Sequence, residues 1–131
     1  MPDACPSLHE TRAAVPATVP LLRRSVRRWT EAAGLDPDVA EAVVLAVDEA
    51  VTNAVEHGHR HRPGRVGLQL TRADGGQVTA VVADGGTWRP VPDDPGFRGR
   101  GLLLIDRLAD HAYIAHGPGG TTVTMRWNDA A

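Results

Sequence analysis

Lysine is missing from this chain altogether: all fourteen of its basic residues are arginine. Chemistry that needs a lysine, whether a Schiff base or a P-loop contact with phosphate, is thereby excluded. Cysteine is almost as scarce, and the single Cys5 cannot close an internal disulfide, so nothing points to a secreted disulfide scaffold. No apolar run approaches the ~20 residues of a membrane span, and the N-terminus lacks the charged start and apolar centre of a signal peptide. Nor is there an excess of positive charge. Fourteen basic against sixteen acidic residues leave a formal charge of −2, which argues against a nucleic-acid coat or a polybasic membrane anchor. The expectation is a cytoplasmic protein with no membrane and no direct nucleic-acid partner. What is present is ordinary: 131 residues at 42% hydrophobic, enough for one packed domain over 1–131 and too short for a second.

Residues 1–6 read as a disordered start, and Ser7 to Ala14 as a short edge strand near Pro16 and Pro20. From Ala17 to Ala33, Leu21, Leu22, Val26 and Trp29 recur at helical spacing, with Arg23, Arg24, Arg27 and Arg28 on the other side. Gly34 ends that helix, and Asp36-Pro37 starts the next as N-cap and first helical residue. Over Pro37 to His57, one side carries Ala40, Val43, Val44, Val47, Val51, Ala54 and Val55, and the opposite side Glu49, Thr52, Asn53 and Glu56. Arg65 to Arg72 and Gln77 to Asp84 read as strands joined by a turn at Asp74-Gly75. A long loop with Pro90, Pro92 and Pro95 spans 85–99, a length that in a small domain suggests a lid. Leu102 to Leu108 is a short apolar helix, and His111 to His116 with Thr121 to Trp127 a last hairpin. The expected fold class is α+β: a two-layer sandwich with helices on one face of a mixed, mainly antiparallel sheet.

Three clusters could carry chemistry. Glu49 and Asn53 are four residues apart and share a helical face, where the amide oxygen could ligate Mg²⁺ and the carboxylate accept a proton. Asp84, followed by Gly85-Gly86, ends an apolar strand, where a flat heterocycle can approach the backbone while the carboxylate accepts from its amine. Gly99-Arg100-Gly101 opens a helix whose N–H groups and dipole favour phosphate. Each alone also has a plain explanation: a solvated helix face, a glycine turn, a loop-to-helix junction.

Taken together and in this order, the clusters resemble the GHKL ATPase superfamily of gyrase, heat-shock chaperone, histidine kinase and MutL types. The resemblance runs over roughly Ala17 to Trp127. Glu49-x-x-x-Asn53 looks like the N box, Asp84-x-Gly86 like the G1 box, Gly99-x-Gly101 like the G2 box, and Gly120-Thr121-Thr122-Val123 like the Gly-Thr segment of the closing strand. The string from Glu49 to Ala54 is especially similar to the N box of bacterial anti-sigma factor serine/threonine kinases. The resemblance implies a Bergerat-type ATP-binding fold with 85–99 as the ATP lid. It further implies that Asp84, with Gly86, receives the adenine amine, supported by Thr122 directly or through water, and that Asn53 holds Mg²⁺. Gly99, Arg100 and Gly101 would meet the phosphates, and Glu49 would be the general base toward a serine or threonine hydroxyl. The implied partners are a sigma factor and a STAS-type anti-anti-sigma protein, with the chain acting as a homodimer. A non-catalytic ATP-binding switch on the same fold is the alternative.

The chain departs from the family pattern where the G1 box often has a second glycine; here that residue is Trp88. His57, His59 and His61 lack the companion ligands of a zinc site. Trp29 and Trp127 read as packing residues, Asp93 and Asp94 as solvated charges, and the arginines of the first helix as a solvated face or a protein contact.

Overall fold

The computed structural model describes residues 7–57, 64–84, 100–117 and 120–128. Along the chain run β1 (Leu8–Ala13), α1 (Thr18–Ala33), α2 (Pro37–His57), β2 (Arg65–Arg72), β3 (Val78–Asp84), α3 (Arg100–Leu108), β4 (His111–Gly117) and β5 (Gly120–Trp127). The strands form a five-stranded sheet in the order β1-β2-β3-β5-β4, and all four pairings are antiparallel. The last strand in sequence is therefore an interior one, between β3 and β4.

Period-two alternation decides which side of the sheet is covered. Val66, Leu68 and Leu70 of β2, Val78, Ala80 and Val82 of β3, and Val123, Met125 and Trp127 of β5 are buried in one core with the helices. The alternate residues on the other side, such as Gln69, Tyr113 and Arg126, are exposed, and the Arg126 guanidinium lies over the Tyr113 ring at 5.7 Å from its centroid.

α2 is the central helix, packed against α1, α3 and β3. That position explains why its buried arc is wider than a simple amphipathic stripe. Ala46 and Ala50 join Val43, Val44, Val47, Val51 and Ala54 in the core, because small residues let flanking helices come close. Leu45, turned outward, is 46% exposed. The boundaries of α2 follow its sequence signals, with the Asp36 carboxylate accepting from the Asp38 N–H at 2.9 Å.

Polar side chains fasten α1. Thr18 Oγ1 donates to the Ala13 carbonyl at 2.6 Å, and Ser25 Oγ donates to Glu10 Oε2 at 2.9 Å, so the edge strand β1 is tied to the helix at two points. At the other end Arg72 Nη1 donates to the Ala33 carbonyl at 2.6 Å, occupying an acceptor that a helix C-terminus leaves without an internal partner. The β2–β3 turn differs in detail from a two-residue turn at Asp74-Gly75. Ala73 N donates to Gln77 O at 2.8 Å and Gly76 N to Ala73 O at 2.8 Å, and the positive φ of 95° falls on Gly76. This is a three-residue connection, and the left-handed position after the turn is the one that needs glycine.

Candidate functional site

β3 carries its core-facing row through Val78, Ala80 and Val82 and then places a carboxylate, Asp84, at the next position on that face. Asp84 is 7% exposed. A carboxylate so withdrawn from water is costly unless hydrogen bonds replace the water. One comes from the neighbouring strand, where the Thr121 main-chain N–H donates to Asp84 Oδ1 at 2.8 Å. Asp84 thus stands at the end of the sheet where β3 ends and β5 begins, on the side covered by helices.

On α2, Glu49 and Asn53 are both half-buried and lie one turn apart, on the flank of the buried arc beside Ala46 and Ala50. Asp48, just before Glu49, takes two hydrogen bonds from Arg23 of α1, at 2.9 and 3.3 Å. These bonds, and then the charge of Asp48, raise the Arg23 pKa above the ordinary arginine value. The helix carrying Glu49 is thereby tied to α1 at its outer surface. Arg24, Arg27 and Arg28 are exposed.

Arg100 and Gly101 are the first two residues of α3, which has no acidic side chain in its first turn. Its leading N–H groups and the positive end of its dipole are therefore not neutralised from within the helix. α3 is held at its other end, where Trp127 Nε1 donates to the Leu108 carbonyl at 2.7 Å. Ile105 and Ala109 anchor it in the core.

Asp84, Glu49, Asn53 and the start of α3 thus belong to elements that pack on one another on the helical side of the sheet. Thr122 does not share Asp84's face. In the regular β3–β5 register it lies opposite Ala83, on the side away from the helices, and is 9% exposed. Alternation gives Asp84's face to Thr121 instead, which is half-buried and already bonds Asp84 through its main chain. Thr121 is the residue that sequence reasoning passed over, and counting back by twos from Trp127 and Met125 finds it.

Gly86, Gly99, the whole 85–99 segment with Trp88, Asp93 and Asp94, and Cys5, Gly58, His59 and His61 lie outside the described residues, as do the side chains of His57 and Arg100. Among the described residues, no group of three His, Cys, Asp or Glu is set to hold a metal ion. No described helix is long and apolar enough to cross a membrane.

Residues 13–127 match the family described as the histidine kinase-like ATPase domain. Among solved structures, the chain is similar to the RsbU and RsbW domains of Rv1364c from Mycobacterium tuberculosis. That match has 32% identity and a TM-score of 0.78, and covers 94% of this chain and 32% of the other. This chain thus spans about a third of the length of that structure. The histidine kinase domain of the blue-light activated histidine kinase from Erythrobacter litoralis EL346 matches at 22% identity and a TM-score of 0.61, over 86% of this chain and 60% of the other. A further structure of that light-activated kinase matches at 24% identity and a TM-score of 0.62, over 73% of this chain and 32% of the other. Both kinase matches speak to the fold alone.

Proposed function

Because the chain belongs to the histidine kinase-like ATPase domain family, we propose that it binds Mg·ATP and transfers the γ-phosphoryl group to a serine or threonine of a protein substrate. In this reading it is an anti-sigma factor that sequesters a sigma factor as a homodimer. It phosphorylates, and so releases, a STAS-type anti-anti-sigma antagonist. The observation that carries the ATP reading is the buried Asp84 carboxylate, set in line with the core-facing row of β3 and fixed by the Thr121 N–H. A buried acceptor at the rim of an apolar layer suits a flat heterocycle with an exocyclic amine. The anti-sigma reading is supported by the string from Glu49 to Ala54 and by the 32% identity to a structure with an RsbW domain.

The side chains present suit a magnesium ion of the kind that accompanies ATP. Mg²⁺ keeps several waters and takes few protein oxygens beside those of phosphates, so a single half-buried amide, Asn53, is an adequate protein ligand. When bound, the ion supplies charge neutralisation on the phosphates. Asp84 receives the base amine, with Thr121 beside it on the same face. The leading N–H groups of α3, with Gly101, Arg100 and Gly99, receive the phosphates. Glu49 accepts the proton of the attacking hydroxyl while its oxygen bonds to the γ-phosphorus. The bond from that phosphorus to the β–γ bridging oxygen breaks, and ADP leaves. Catalysis is then mainly a matter of position and electrostatics.

The test begins with thermal unfolding, with and without Mg·ATP, on the wild type and on Asp84→Asn. Nucleotide at 100 times its dissociation constant adds about 2.7 kcal/mol to a protein that binds it only when folded. A shift in the wild type that weakens in Asp84→Asn supports the site; no shift at millimolar nucleotide refutes it. Labelled phosphate transfer to the antagonist, abolished by Glu49→Ala, then tests the kinase. ATP binding without transfer to any antagonist leaves the non-catalytic switch.

A further inference from the structure

We propose that Gly120 is a positioning residue for base selection: it lets the start of β5 approach β3 closely enough for the Thr121 N–H to fix the Asp84 carboxylate as a hydrogen-bond acceptor. The proposal rests on the ATP reading above. Gly120 has φ of +143°, a conformation that residues with a side chain rarely adopt. A Cβ built there would overlap the Asp84 carbonyl oxygen and lie 2.6 Å from Asp84 Oδ1 and 2.9 Å from its carbonyl carbon. The neighbour is main chain, so it cannot swing aside as a flexible side-chain tip would. Relief requires the start of β5, where Gly120 pairs with Gly117, to move off the end of β3. That movement lengthens the 2.8 Å bond from Thr121 N to Asp84 Oδ1. Gly67, inside β2, provides the contrast: a Cβ there meets nothing closer than Thr11 Oγ1 at 3.7 Å.

The chemical consequence is selection by hydrogen-bond polarity. With one oxygen held by an N–H donor, the carboxylate keeps one orientation and presents acceptor character to the base. An amine at purine C6 donates to it, whereas a carbonyl there sets acceptor against acceptor. If the start of β5 retreats, the carboxylate loses its fixed orientation, and the preference for the amine falls while contacts to ribose and phosphates persist. Gly120 thus acts through Asp84.

The experiment measures dissociation constants for ATP and for purine riboside 5′-triphosphate, which lacks the amine. The proteins are the wild type, Gly120→Ala, Asp84→Ala, the double variant and the control Gly67→Ala. The wild type and Gly67→Ala should prefer ATP by about ten-fold or more, the worth of one hydrogen bond to a charged group. Gly120→Ala should lose most of that preference, through weaker ATP binding and not through altered binding of the amine-free nucleotide. It should add no further loss in the Asp84→Ala background. Equal weakening of both nucleotides, or a preference that survives Gly120→Ala, overturns the proposal. If Gly120→Ala does not fold, the Thr121 amide proton carries the test. It should resonate well downfield in the wild type and move upfield in Asp84→Ala, and an unmoved resonance overturns the proposal. A wild type that binds neither nucleotide fails the ATP reading itself, whereas one that binds both equally fails this inference and the amine contact assigned to Asp84 while nucleotide binding stands.

Discussion

Replacing Trp127 with phenylalanine should cost about 3 kcal/mol of folding stability, in two separable parts. Trp127 is 3% exposed, and its indole N–H donates to the Leu108 carbonyl at 2.7 Å. That carbonyl is one of the last of α3, where the helix itself offers no donor. Phenylalanine leaves it unpaired beneath the core, at about 1–2 kcal/mol. It also removes about three heavy atoms from a packed site, worth roughly 2 kcal/mol in lost contacts and residual cavity. For a domain of this size the sum corresponds to a fall of about 10 °C in melting temperature. Urea unfolding followed by far-UV circular dichroism is the assay, because removing a tryptophan compromises fluorescence. Benzothienylalanine, which keeps the ring shape but replaces N–H by sulfur, should cost only the hydrogen-bond share of about 1–2 kcal/mol. A Phe variant within 1 kcal/mol of wild type, or a neutral benzothienyl variant, would refute the reasoning.

Adjacent residues of α2 should behave oppositely. Ala46→Leu, at a position with no exposure, should destabilise by about 1–3 kcal/mol through overpacking, whereas Leu45→Arg, 46% exposed, should stay within about 0.5 kcal/mol by the same urea assay. Thr18→Val keeps the shape of a side chain that is 4% exposed and removes one of the two hydrogen bonds the Ala13 carbonyl accepts, leaving the one from the Val15 N–H, and should cost about 0.5–1.5 kcal/mol. Arg72→Met should lose about 1.5–3 kcal/mol with the charged hydrogen bond to Ala33, and amide exchange should speed up first in the last turn of α1.

Much of the fold was legible because its signals are local. Asp36-Pro37 fixes the start of α2, Gly34 the end of α1, and the period-two rows of β2 and β3 identify their buried faces. What escaped depends on neighbours distant in sequence. Ala46 and Ala50 fall outside the apolar side expected for this helix and are buried because α1 and α3 flank α2. The choice of Gly76 over Gly75 for the positive φ follows from a three-residue connection that spacing alone did not distinguish from a two-residue one. At the candidate site, Asp84 stood out as a carboxylate ending an apolar strand. The choice of Thr121 over Thr122 follows from the period-two row of Val123, Met125 and Trp127, but that this row ends beside Asp84 needed the β3–β5 register, which no local pattern contains. The bond from Thr121 to Asp84 spans 37 positions in sequence, and only the paired strands bring its ends together.

The strand order has a consequence for how the molecule comes into being. β5 is made after every other element described, yet it fills the gap between β3 and β4. While the chain is emerging from the ribosome, β1, β2 and β3 can assemble, but β4 has no strand to join and the helical layer covers an incomplete floor. Met125 and Trp127 supply the missing part of that floor late, and the Thr121 donor reaches Asp84 only then. Sheet closure and the ordering of Asp84 therefore belong to one late folding event, dominated by long-range contacts and correspondingly slow. A nascent chain halted before residue 120 has its first three strands, but its Asp84 has yet to meet the strand that aims it.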